Sequence, residues 1–118
     1  SFPDWDIDQW LDQAKRVMTL SGNGRIVFDY DMKIAEPFMQ MDFDNQPDLW
    51  PGLRALAARP MVVLRGELSN LLSQETFARM GEAGSSVSLV TVPRVGHAPM
   101  LDEAEAVAAI DRLLEQVA

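Results

Sequence analysis

No cysteine occurs in the chain. That excludes disulfides, thiolate nucleophiles and Cys-ligated metals, and it is compatible with a reducing compartment, so a cytoplasmic location is the expectation. Basic residues are scarce: 10 Lys and Arg against 18 Asp and Glu give a net charge of −8. The excess is not an acidic tail, because residues 1–60 hold ten acids and six bases and residues 61–118 hold eight and four. With no basic patch to neutralise phosphates, neither nucleic acid nor an anionic membrane is an expected partner. No apolar run approaches the ~20 residues of a membrane span. The start, Ser1-Phe-Pro-Asp-Trp5, has no basic or apolar stretch of a signal peptide, and its lack of an initiator Met fits a start inside a longer chain. The acids of residues 4–12 and 42–48 lack metal-loop spacing and read as solvated faces. No cofactor and no metal are expected.

What is present suits one domain: 118 residues, 47% of them hydrophobic. Ile7, Trp10, Leu11, Ala14, Val17 and Met18 recur at helical spacing, predicting an amphipathic helix over residues 6–20 with Asp6 as cap and Gln9 three residues on. Gly22 and Gly24 mark a turn, residues 25–30 a short strand or extended segment, and residues 31–47 an irregular stretch with Pro37 and Pro47. Asp48 to Ala58 reads as a short helix. Met61-Val-Val-Leu-Arg65, between Pro60 and Gly66, fits a strand buried on both faces. Residues 73–80 form a helix capped by Ser73 and stopped at Gly81, and Val87 to Val92 is a β-branched strand. Asp102 to Val117 closes the chain as a helix, with Asp102 and Glu105 as a capping pair and Val107, Ile110, Leu114 and Val117 as the buried stripe. Strand, helix, strand, helix predicts a βαβ unit with parallel strands.

Ligands of open α/β sheets bind beyond the C-terminal ends of the strands. The two loops leaving those ends are Gly66–Leu72, with Glu67 and Asn70, and Pro93–Met100, with His97, the one histidine of the chain. A histidine beside a carboxylate or amide is the arrangement of an oriented general base. Plainer readings exist for each residue. His97 can be an ordinary loop residue, Gly96 and Pro99 turn formers, Asn70 a helix cap or left-handed turn residue, and Glu67 a solvated carboxylate. Trp5, Trp10 and Trp50 read as core or interface fillers; Met39, Met41 and Met100 are candidates to line an apolar pocket.

Two segments, Pro60-Met-Val-Val-Leu-Arg-Gly-Glu-Leu-Ser-Asn-Leu-Leu-Ser-Gln-Glu-Thr76 and Val92-Pro-Arg-Val-Gly-His-Ala-Pro-Met-Leu-Asp-Glu103, resemble the end of α/β-hydrolase-fold enzymes. In that family Arg-Gly-x-x-Ser-Asp carries the catalytic acid and Gly-His-x-Pro the catalytic base, with a helix and strand between and a final helix after. The resemblance implies His97 as base and position 70 as the acid site. The run Gly24–Phe38 also looks like the segment joining lid to core in some members. The implied fold is α/β, the C-terminal portion of an α/β-hydrolase fold, with parallel strands flanked by helices in an incomplete sheet. Residues 1–47 would be the lid exit helix and connecting segment, and 48–118 the C-terminal part of the core.

Two departures matter. No serine stands in a Gly-x-Ser-x-Gly elbow, so the nucleophile would lie outside this chain, in a missing N-terminal half or another chain that completes the sheet. Position 70 is Asn, which cannot supply the charge that stabilises an imidazolium; an Asp-to-Asn change costs about 10⁴ in turnover in a serine-protease triad. Asn70 can be an inactivating change, the acid can come from elsewhere (Glu67, or an upstream strand), or catalysis can be lost and binding kept. The leading expectation is a fragment of a hydrolase acting on an ester, lactone or similar small-molecule substrate by Ser-His-acid acyl transfer, inactive by itself. The alternative is an inactive hydrolase-like binding or assembly module.

Overall fold

The structure, a computed structural model, describes residues 2–42 and 45–118; Ser1, Phe43 and Asp44 lie outside the described residues. The chain divides into two compact units, residues 4–47 and residues 1–3 with 48–118.

In the first unit α1 spans Ile7–Val17. Its start is the expected capping box: the Gln9 amide donates to Asp6 Oδ1 (2.9 Å) and the Asp6 amide to Gln9 Oε1 (3.0 Å). The helix ends three residues before the expected boundary. Met18–Leu20 (β1) instead pairs antiparallel with Ile26–Phe28 (β2). The local turn chemistry wins over helical periodicity here. Gly24 sits at φ 77°, and the Ser21 hydroxyl accepts from the Arg25 amide, so residues 21–25 turn the chain back on itself. The stretch expected to be irregular contains a 3₁₀ turn, Met32–Ile34, and α2, Ala35–Met39. Met39 is 84% exposed. Trp5 and Trp10 meet edge to face at 4.6 Å, and Trp10 remains exposed.

In the second unit α3 (Trp50–Leu56) begins with Asp48 accepting from the Trp50 amide at 3.0 Å, with Pro51 in the first turn. Then come β3 (Met61–Gly66), α4 (Gln74–Gly81), β4 (Val87–Val92) and α5 (Ala104–Val117). β3 and β4 pair in parallel, from Met61 opposite Val87 to Gly66 opposite Val92. Both helices pack on this pair. Ser73 caps α4 as expected, accepting from the Thr76 amide at 3.0 Å, and Phe77 is its buried anchor.

α5 differs from expectation in two ways. Its cap is Glu103, not Asp102, and the Glu103 carboxylate turns back to accept from the Met100 (2.8 Å) and Leu101 (2.9 Å) amides. Leu101 has φ 70°, which exposes those two amides to one side chain. The buried face is also different. Ala106 and Ala109 lie against the strands, whereas Val107, Leu114 and Val117 are exposed. Small side chains let the helix axis approach a two-stranded sheet closely; the larger apolar face points elsewhere.

The core of this unit centres on Val92, Val95 and Ala106, with Phe2 and Leu64 packed against it. Val92 and Ala106 have no exposed surface. Val92→Ala should lower stability by about 2 kcal/mol, read as a fall in the urea midpoint at unchanged m. An unchanged midpoint would contradict this description of the core.

Candidate active site

Because β3 and β4 are parallel and in register to their last residues, the loops that leave them start side by side. Hydrogen bonds then join the first loop to the end of β4 and to the second loop. The Glu67 amide donates to the Val92 carbonyl (2.8 Å) and the Leu68 amide to the Val95 carbonyl (2.9 Å). The third is a side chain: Glu67 Oε2 accepts from the Arg94 amide at 2.7 Å. At the junction stands Gly66. A Cβ there would collide with the carbonyl oxygens of Val95 and Gly96. Space, not backbone conformation, requires glycine at this point.

The 66–72 loop is shaped from within by Arg65. This residue is 7% exposed, and its guanidinium donates to three carbonyls: Leu72 at 2.8 Å, Glu67 at 3.1 Å and Ser69 at 3.3 Å. The Ser69 hydroxyl in turn accepts from the Leu72 amide at 3.1 Å, and the Ser69 amide donates to the Gly66 carbonyl at 3.0 Å. Asn70 lies in this loop with its side chain exposed. It does not cap α4, a role Ser73 fills, and it does not take the left-handed conformation, so neither plainer reading of Asn70 describes it.

The 93–100 loop is pinned on the other side. Val95 is buried in the core cluster, Gly96 is buried beside it, and His97 follows as an exposed side chain. Arg94 has φ 56°, a left-handed conformation that an L side chain adopts at some cost, and its amide is the one held by Glu67. The structure thus brings the loops of Asn70 and His97 to one rim. Among the described residues neither side chain is hydrogen-bonded, to the other or to anything else. Glu67, read from sequence as solvated, is exposed yet spans the two loops. Val95 escaped notice altogether; an apolar residue two before the histidine was its only signal.

An open apolar cleft of about 370 Å³ lies between α3 and α4, lined by Leu49, Trp50, Leu53, Leu72, Thr76 and Met80. Leu72 ends the Asn70 loop, so the cleft adjoins it. The Arg79 guanidinium lies 3.9 Å over the Trp50 ring. Among the described residues no cluster of His, Asp or Glu could hold a metal ion. None of the described helices is long and apolar enough to cross a membrane.

Comparison with known proteins bears on the fold. The chain is similar to an α/β hydrolase from Novosphingobium aromaticivorans, at 59% identity and a TM-score of 0.88, over 98% of this chain and 40% of that one. It shares the fold of E-2-(acetamidomethylene)succinate hydrolase, with a TM-score of 0.63 at 18% identity, over 98% of this chain and 41% of that one. It is 40% identical over 74 residues to a 3-hydroxybutyrate-oligomer hydrolase of Cupriavidus necator, a match covering 59% of this chain and 25% of that protein. No family model matches the sequence. The chain has the α/β-hydrolase fold in part, its C-terminal portion with few strands, and spans well under half the length of these relatives.

Gly66→Ala should cost about 1–3 kcal/mol, because backbone oxygens cannot move aside as a flexible side chain would. The check is a thermal melt against the unsubstituted protein. An equal melting temperature would mean that the two loops are not in contact at this point.

Proposed function

We propose that this chain supplies the general-base half of a carboxylic ester hydrolase, with a serine nucleophile lying outside it. The observation that carries the reading is the exposed His97, set on a rim by the buried Val95 and Gly96 beside the loop of Asn70. In this reading His97 takes the proton of the serine hydroxyl as its oxygen attacks the ester carbonyl. The tetrahedral intermediate collapses, the C–O bond to the alcohol breaks, and His97 returns the proton to the departing oxygen. Water then repeats the sequence on the acyl-enzyme, releasing the acid. Asn70 stands at the acid position, where a hydrogen bond formed with substrate bound would orient the imidazole without supplying charge. In the same reading residues 1–47 are the exit of a lid and its link to the core.

A substrate class is suggested by the Cupriavidus relative. Its name gives 3-hydroxybutyrate oligomers as what it hydrolyses. A hydroxy acid joined through its own hydroxyl and carboxyl groups is an ester, so short esters of small hydroxy acids are the proposed substrates. The cleft ending at Leu72 has the apolar lining that such acyl chains would need. Among the described residues β3 and β4 form a two-stranded sheet. So small a sheet is marginal in isolation, which supports completion of the sheet by the serine-bearing part.

A second reading, a binding or assembly module without catalysis, is favoured by the lack of a hydrogen bond between Asn70 and His97 among the described residues. One set of assays separates the two. In the protein that carries this chain with its serine-bearing part, His97→Ala should lower kcat/KM on a short-chain aryl ester by about 10²–10⁴. An unaltered rate would end the hydrolase reading. Asn70→Asp should raise turnover, by up to about 10⁴, since it restores a carboxylate to the acid position. If the rate stays level, the acid comes from another residue.

A further inference from the structure

We infer that Glu67 is a positioning residue for His97, acting through the backbone of the loop that carries it; the inference rests on the functional reading above. The sequence places Glu67 and His97 thirty positions apart, and nothing in their spacing links them. The fold does. Glu67 is the first residue after β3, and its Oε2 accepts from the Arg94 amide at 2.7 Å, across 27 residues of chain. Arg94 stands three residues before His97, at the left-handed bend where the loop leaves β4.

This bond is one of the constraints that hold the bend. Arg94 has φ 56°, and a residue that is not glycine holds such a conformation only where its surroundings over-determine it. The other contacts between the loops are made at Val92, Val95 and Gly96, by carbonyl oxygens that accept or press on the partner backbone. The Arg94 amide lies between these points and is the donor that a side chain of the other loop engages. Glu67 therefore fixes the angle at which residues 95–97 leave the strand. Val95 then enters the core, and His97 emerges above it.

The bond needs an acceptor at the reach of a five-atom side chain, and it does not need the negative charge. Glutamine presents the same carbonyl-type oxygen at the same distance, aspartate is one methylene short, and alanine has no acceptor. A general base displaced by about an ångström loses on the order of a hundredfold in rate, and the loss falls on turnover rather than on substrate affinity.

The test uses the protein that carries this chain with its serine-bearing part, assayed on a short-chain aryl ester. Glu67→Ala should lower kcat by about ten- to a hundredfold with KM within about threefold, and it should speed hydrogen exchange at the Arg94 amide. Glu67→Gln should keep most of the activity and slow exchange at Arg94, and Glu67→Asp should resemble alanine. The glutamine variant also guards against misfolding, since a folded, active Gln protein shows that the position tolerates substitution. Wild-type kcat in Glu67→Ala would overturn the inference. So would a Gln variant as slow as alanine, because the charge rather than the bond would then be at work. His97→Ala, run alongside, separates the two proposals. If it leaves the rate intact, the hydrolase reading fails. If it abolishes the rate while Glu67→Ala does not, only the positioning role fails.

Discussion

The rim depends on one buried cation. Taking a guanidinium out of water is expensive, and a protein normally offsets that cost with a carboxylate or with several well-placed acceptors. Arg65 has the second solution: its three donor nitrogens reach the carbonyls of Leu72, Glu67 and Ser69. The flat fork of an arginine can serve three acceptors spread along a loop, whereas a lysine ammonium is a compact point charge. Because each unpaired acceptor would leave the buried charge less satisfied, the loop has one favoured path. A residue inside the strand thus dictates the shape of the segment outside it.

From there the order passes between loops through backbone. The Leu68 amide holds the Val95 carbonyl, Glu67 holds the Arg94 amide, and Val95 joins Val92 and Ala106 in the core. The core itself is thin: its buried apolar members among the described residues include three alanines, Ala57, Ala106 and Ala109. Large apolar side chains such as Ile7, Leu20, Ile26 and Leu114 are more than half exposed. Apolar exposure on this scale is unusual for a chain folded by itself and marks surface meant to be covered. The helices and the parallel pair are therefore best seen as one portion of a larger layered arrangement, in keeping with the share of its relatives that the chain spans.

Sequence reasoning captured what depends on period and on local caps. The apolar run 61–65, the β-branched run 87–92 and the Ser73 cap each appear where they were expected, since each is decided by neighbours in sequence. It did less well where longer-range packing decides. Met18 to Leu20 continue the helical pattern of α1, yet pair with Ile26 to Phe28 once the Gly24 turn brings them together. In α5 the hydrophobic stripe pointed to Val107, Leu114 and Val117, but close approach to the strands selected Ala106 and Ala109. The rim was legible in outline, as two loops leaving parallel strands. The clamp between Glu67 and Arg94 was not, because a side chain bonded to a distant amide leaves no periodic trace.

The backbone contact at Gly66 also bears on how such a rim can diverge. Loop separation there is fixed by main-chain atoms of residues 66, 95 and 96, none of which presents a side chain to a ligand at that point. The tips just beyond are open: Leu71 is 75% exposed, and Leu68 and Asn70 are exposed as well. Replacing Leu68 and Leu71 would reshape what the rim meets without moving the main-chain contact at residue 66. A lineage built on this scaffold could therefore vary the exposed tips freely while the two loops stayed joined, and change at residue 66 would be the step hardest to take.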